Sequence, residues 1–258
     1  MAPMRRRGFG EARIPGYDEF ELDVERVLKE QLPRFFESVE SASLTQENVQ
    51  AIPERAKGAY LLLHRGQPVY AGKTDARHGF RDRLTRHWFT VQHRERLDTE
   101  DMAFKAVRIM VFSNFDVEAI LIARMRDQDA EALPWNDSGF GSNDPGHNRE
   151  RQEPAKFDRT YPIAVDRPLD LNLSGEHTVH DILLTMKDAL PYLIRFEHHG
   201  ELQDARVVIP TGPVTTSAVM TAIVHALPTG QWQATIFPDR VILYRGREDY
   251  GYARFTIR

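Results

Sequence analysis

The chain has 258 residues, 41% hydrophobic and 28% charged, which is the composition of a folded globular protein long enough for two domains and excludes a disordered or fibrous one. The absence of cysteine excludes disulfides, thiolate nucleophiles and cysteine-ligated zinc, so any metal must take oxygen or imidazole ligands. The net charge of -4 conceals a basic stretch: from Arg55 to Arg96, ten Lys and Arg stand against three Asp and Glu, with His64, His78, His87 and His93 among them. Such an excess suits a polyanion, because phosphate neutralisation supplies most non-specific nucleic-acid affinity.

Residues 1–16 read as a basic arm containing Gly and Pro. From Tyr17 to about Phe36, the apolar Phe20, Val24, Val27 and Leu28 recur at helical spacing, and acidic residues crowd the first turn. Pro33 is expected to end or kink that helix. After a polar connection, Gly58 to Leu63 and Pro68 to Ala71 read as strands turned at Arg65-Gly66-Gln67. A helix from about Asp82 into the Phe89 region follows, then a strand from Ala103 to Phe112 and a helix from Asp116 to about Asp129. Ser113 with Asp116 is a weak variant of a capping box, and Leu133-Pro134 stops the helix. Residues 136–153, rich in Gly, Asn, Asp and Pro, form a loop long enough to be functional.

Residues 163–258 alternate differently. Strands are predicted at Leu169 to Leu173, Leu193 to Phe196 and Ala205 to Pro210, with helices over Thr178 to about Leu190 and from Pro213 to before Pro228. A hairpin of Trp232 to Phe237 and Val241 to Tyr244 and a last strand at Tyr252 to Ile257 complete a β-α-β-β-α-β order plus hairpin, the pattern of a ferredoxin-like α+β sandwich. With six basic and five acidic residues from Glu201 onward, this part has no footprint of a DNA clamp and points to oligomerisation, sensing or target recognition. Thr211-Gly212-Pro213 ahead of Thr215, Thr216 and Ser217 offers an anion cradle, although hydroxyls at helix starts usually only cap. The chain thus divides into 1–52 (arm and helix), 53–162, and 163–258. No apolar run approaches the roughly 18 residues of a membrane span, and no apolar segment follows the N-terminal arginines, so a cytoplasmic protein without a membrane partner is expected.

The most specific motif is Gly58-Ala59-Tyr60 with Tyr70-Ala71-Gly72, the tyrosines ten residues apart. Arg83 and His87 follow in RLTRH, Glu118 in DVEAIL and Asn136 in LPWN. Taken singly, each has an ordinary reading as sheet packing, solvated helix or turn. In order and spacing together they resemble the GIY-YIG nuclease superfamily, with alanine in the middle of both tyrosine motifs. The Trp-Asn followed by Gly-Phe-Gly and Pro-Gly is similar to its restriction-endonuclease branch. The resemblance covers about residues 55–162 and implies a small mixed sheet flanked by helices.

It also implies roles. Tyr60 would be the leading general base and Tyr70 its hydrogen-bonded or phosphate-contacting partner, the reverse being open. Because an unperturbed tyrosine has a pKa of about 10, Lys73 or a metal ion would lower it, or His87 would accept its proton. Arg83 would contact the scissile phosphate, Asn136 would support the site, and Glu118 would hold Mg²⁺ or Mn²⁺. Lys57, Arg65, Arg77, Arg81, Arg86 and Arg94 would contact DNA phosphates. The expectation is a metal-dependent, site-specific double-strand DNA endonuclease of restriction and phage-defence type, working as a homodimer or higher oligomer. Two alternatives stand beside it: a nuclease effector regulated by a ligand or partner protein at the C-terminal domain, and a non-catalytic nucleic-acid-binding module.

Overall fold

The computed structural model describes residues 24–75, 77–109, 116–140, 146 and 148–258. The predicted N-terminal arm, the helix start before Val24, the strand end beyond Ile109, Ser113 and residues 141–145 lie outside them. The protein is α+β. Its first part contains α1 (Val24–Ser38), β1 (Ala42–Ser43), α2 (Gln46–Ala51), β2 (Gly58–His64), β3 (Gln67–Lys73), α3 (Phe80–Gln92), β4 (Met102–Arg108), α4 (Val117–Gln128) and α5 (Lys156–Thr160). The strands form one sheet in the order β1-β4-β2-β3. Every neighbouring pair is antiparallel, where a mixed sheet was expected. The β2–β3 turn explains one of these pairs: Arg65 (φ 52°) and Gly66 (φ 80°) both have positive φ, the two-residue turn whose twist matches a hairpin.

Alternation along β2 sends Tyr60 and Leu62 to one face and Ala59, Leu61 and Leu63 to the other. The first face packs with Phe80, Leu84 and Val91 of α3, together with Trp135 and Phe157. The second packs with Leu32 and Phe36 of α1 and Leu121 of α4. Both faces are covered, which is why β2 reads as an unbroken apolar run. Pro33 lies inside α1 without ending it. Leu32 and Phe36, buried on either side of it, contribute about 1.5–3 kcal/mol each, enough to offset the roughly 3 kcal/mol a proline costs. Residues 24–52, expected as a separate segment, supply an edge strand and the fully buried Leu44 and Val49 to this same unit.

The second part holds β5 (Pro168–Leu169), β6 (Gly175–Thr178), α6 (Val179–Ala189), β7 (Leu193–Phe196), α7 (Gly200–Asp204), β8 (Arg206–Ile209), β9 (Val214–Thr215), α8 (Thr216–Ala226), β10 (Trp232–Ile236), β11 (Arg240–Arg245) and β12 (Phe255–Ile257). The order of elements is the expected one with β6, α7 and β9 added, but the pairing is not that of a single ferredoxin-like sheet. β7 runs parallel to β11 in a sheet ordered β12-β10-β11-β7, which leaves β6 to pair with β8 alone. The predicted strand at Leu169 to Leu173 shrinks to two residues against β9. α8 starts after Pro213, and Thr215 caps it by accepting from the Ala218 N–H, so the hydroxyl of the predicted anion cradle is occupied. The core of this second part includes Val179, Ile182, Leu183 and Met186 of α6, one face at helical spacing. Among the described residues no helix is long and apolar enough to cross a membrane.

Candidate active site

The tyrosine motifs converge on the α3 face of the sheet. Tyr60 is only 2% exposed, and its hydroxyl lies 2.8 Å from His87 Nε2. Gly72 stands directly across the ladder from it. A Cβ there would come within 2.5 Å of Tyr60 Cζ and Oη and 2.9 Å of Tyr70 Cε1, so only glycine lets both rings share this face. Gly58 is required for a second reason, since its Cβ would meet the Val107 carbonyl oxygen at 2.1 Å. Ala59 and Ala71, the departures from isoleucine, are both fully buried on the opposite face. Their identity is therefore a matter of packing under α1 and α4 and leaves the tyrosine face untouched.

Tyr70, half-buried, has its ring 6.2 Å from that of Tyr60 and 5.3 Å from that of His87. Phe140, the phenylalanine of the Gly-Phe-Gly that carried no role in the sequence reading, stacks on His87 at 5.0 Å and 18° and sits edge-on to Tyr70 at 5.1 Å. Burial raises the pKa of Tyr60 above the ordinary phenol value, and the neighbouring Tyr70 adds to it. Burial and then the Glu118 charge raise Tyr70 as well. Neither tyrosine rests as phenolate, so either can act as a base only by passing on its own proton as it takes one. His87 is placed to receive it from Tyr60.

Burial, and then the charges of Arg86 and Arg83, push His87 down to about 3, so its ring is neutral at pH 7 and Nε2 can accept from the Tyr60 hydroxyl. This shift has a consequence for stability. Below the ordinary histidine value of about 6.5 the unfolded chain binds a proton that the folded one refuses. Stability therefore falls as pH drops through 6.5 toward 5, by at most about 1.4 kcal/mol per unit for this group. His64 and His93, also lowered by burial, add to the same slope. Urea unfolding at pH 7, 6 and 5 should show a shallower fall for His87→Gln than for the parent; equal slopes would remove His87 from the account.

The charged residues are arranged around this ring cluster. Arg83 donates through Nη2 to Asp75 Oδ2, while its Nε is buried without a hydrogen-bond partner. Asp75 accepts the backbone N–H groups of Arg77 and His78 at 2.7 Å each, which holds its carboxyl below the usual range. Sequence reasoning missed Asp75. The signal available was an Asp two and three residues ahead of the amides it caps, just before a helix. Lys73 does not serve the tyrosines as expected: its Nζ lies 2.8 Å from Asp116 Oδ2 and 4.0 Å from Glu118 Oε2.

Glu118, in the first turn of α4, is half-buried, and desolvation raises its carboxyl while Lys73 opposes the shift. Asp116 is occupied as the helix cap and by Lys73. Among the described residues no three His, Asp or Glu gather into a metal-binding group. A single half-buried carboxylate nevertheless fits Mg²⁺, which commonly keeps several waters and takes one or two carboxylates with substrate phosphate. Asn136 clasps β3: its Oδ1 accepts from Ala71 N at 2.9 Å and its Nδ2 donates to Ala71 O at 3.0 Å. Both ends of its amide are committed to backbone between Tyr70 and Gly72, so it is a positioning residue.

Of the six cations expected on DNA, Lys57, Arg77, Arg81 and Arg86 line one open groove of about 1070 Å³ together with Arg55 and His78. Arg65 is elsewhere, at the hairpin tip, paired to Asp101 at 2.9 Å. Arg94 is only 8% exposed, and its Nη1 donates to Asp158 Oδ1 at 2.7 Å and to the Tyr161 carbonyl at 3.1 Å. It is an interior ion-pair residue, because the chain after α3 turns in beneath α5. No protein-family model matches this sequence, and no curated protein matches it.

Proposed function

We propose that the protein is a metal-dependent DNA endonuclease of the GIY-YIG type, a cytoplasmic restriction-like enzyme that pairs copies of itself to cut both strands. The observation that carries this reading is the Tyr60 hydroxyl on a neutral, buried His87, with Tyr70, Arg83 and Glu118 around it and a basic groove beside it. Hydrolysis of a phosphodiester needs an activated water, charge stabilisation at the phosphate and help for the leaving oxygen. The Tyr60 oxygen takes the proton of the attacking water as its own shifts along the hydrogen bond to His87, the bond from phosphorus to the leaving oxygen breaks as the water oxygen bonds to phosphorus, and the proton returns from His87 through Tyr60 to the departing oxygen. Arg83, preset by Asp75, meets the phosphate with its remaining donors. Glu118 would hold the divalent ion, which when bound supplies Lewis-acid stabilisation of the developing charge.

The test is cleavage of methylation-free plasmid DNA with Mg²⁺ by the purified chain and by Glu118→Ala. Discrete fragments from the parent and none from the variant are expected. No cleavage of DNA or RNA by the parent in Mg²⁺ or Mn²⁺ would sink the reading.

A further inference from the structure

The basic groove has a feature that phosphate contact does not use. α3 presents two faces: Arg83 and His87 belong to the ring cluster, while Arg81, Asp82, Thr85, Arg86, Trp88 and Phe89 line the groove. Cations dominate its walls, Arg55, Lys57, Arg77, Arg81 and Arg86 against the carboxylates of Glu54 and Asp82. Asp82 is already committed, accepting the Gly79 N–H at 3.2 Å at the start of α3. Trp88 sits among these charges half-buried and, among the described residues, stacks on no other ring. The other two tryptophans are in the core, Trp135 at 4% and Trp232 at 1% exposure.

Intact duplex DNA shows a protein its phosphates and base edges but hides the base faces inside the stack. An indole face in a cationic groove instead matches an unpaired strand, whose backbone follows the charges and whose bases stack on aromatic rings. Arg83 and His87 alternate along α3 with the groove residues Thr85, Arg86 and Trp88, so the groove and the candidate site share one helix as their wall.

We propose that this groove binds a single-stranded stretch of polynucleotide next to the scissile phosphate, with one base stacked on Trp88. The inference rests on the nuclease reading for the identity of the polyanion, and on the groove itself for the stacking. The substrate accordingly has an unpaired or locally opened strand at the groove, as at a frayed end, a junction or a site the enzyme opens.

The test is fluorescence titration of the full chain in EDTA with a 12-nucleotide oligothymidylate and, separately, with a blunt 12-base-pair duplex. The single strand should quench the tryptophan emission, because Trp88 is the one indole of three outside the core, and the quench should vanish in Trp88→Phe while affinity stays near the parent's. Trp88→Ala should bind roughly 5- to 150-fold more weakly, the worth of one stacked base. Because Trp88 also packs against the core, Arg86→Gln provides a surface variant, expected to lower the salt dependence of single-strand binding by a slope of about 0.7. Oligonucleotide binding without quenching, equal quenching and affinity for the blunt duplex, or no binding at all would overturn the proposal. A cut plasmid with no Trp88 quench sinks the groove alone, and a Trp88 quench with an inert plasmid sinks the nuclease alone.

Discussion

Tyr60→Phe is expected to slow single-turnover cleavage about a hundred- to ten-thousand-fold, the usual worth of a positioned general base. The same change leaves His87 Nε2 without its Tyr60 partner in a buried site, so unfolding free energy should also fall by about 1–3 kcal/mol. Tyr70→Phe differs in degree on the second count: its hydroxyl hydrogen-bonds Tyr60 from a half-buried ring and leaves the Tyr60–His87 bond in place, so its stability loss should be smaller than that of Tyr60→Phe. Both variants can lose activity, so the decisive comparison is the double mutant of Tyr60→Phe with His87→Gln. If the proton passes from Tyr60 to His87, the two changes break one relay, and the double variant should be no slower than the worse single one. Losses that multiply would mean the residues act separately, and Tyr70, the less buried of the two tyrosines, would then be the better base.

Much of this site was legible because its residues sit on regular elements. Alternation along GAYLLLH fixes Tyr60 opposite the alanine-lined face, and the i, i+4 spacing of Arg83 and His87 puts them on one side of a helix. The glycine of each motif was legible as a pattern but not as a cause, since the clash at Gly72 depends on its cross-strand partner, which a sequence does not name. Asp75 was missed, and Phe140 was seen only as part of Gly-Phe-Gly without a role, because both reach the cluster from irregular segments. Arg94 was misplaced for a different reason: an arginine in a basic run looks solvated until a carboxylate 64 residues later covers it. In the C-terminal part the order of elements was readable, but the choice of β11 over β8 as the neighbour of β7 is made by long-range pairing.

That misplaced arginine carries the largest stability effect expected in the molecule. Arg94 and Asp158 meet at 2.7 Å with 9% and 5% of their side chains exposed, and Arg94 also lies over the Phe157 ring at 5.2 Å. Burial nevertheless raises the Asp158 carboxyl, with Arg94 only partly opposing it, so desolvation outweighs attraction and the pair adds little net stability. Removing one partner is another matter, because the surviving charge stays buried. Asp158→Ala should cost about 3–5 kcal/mol, read as a lower urea midpoint at unchanged m-value. Asp158→Ala combined with Arg94→Met should recover a large share, since no charge is then stranded. A loss below about 1 kcal/mol in the single variant would mean that water reaches Arg94, and the interior assignment would fail. The effect should extend to the site. Phe157 stands next to Asp158 in α5 and packs on Phe140 at 4.8 Å, and Phe140 covers His87, so stranding Arg94 beneath α5 should loosen the ring that keeps His87 dry and neutral.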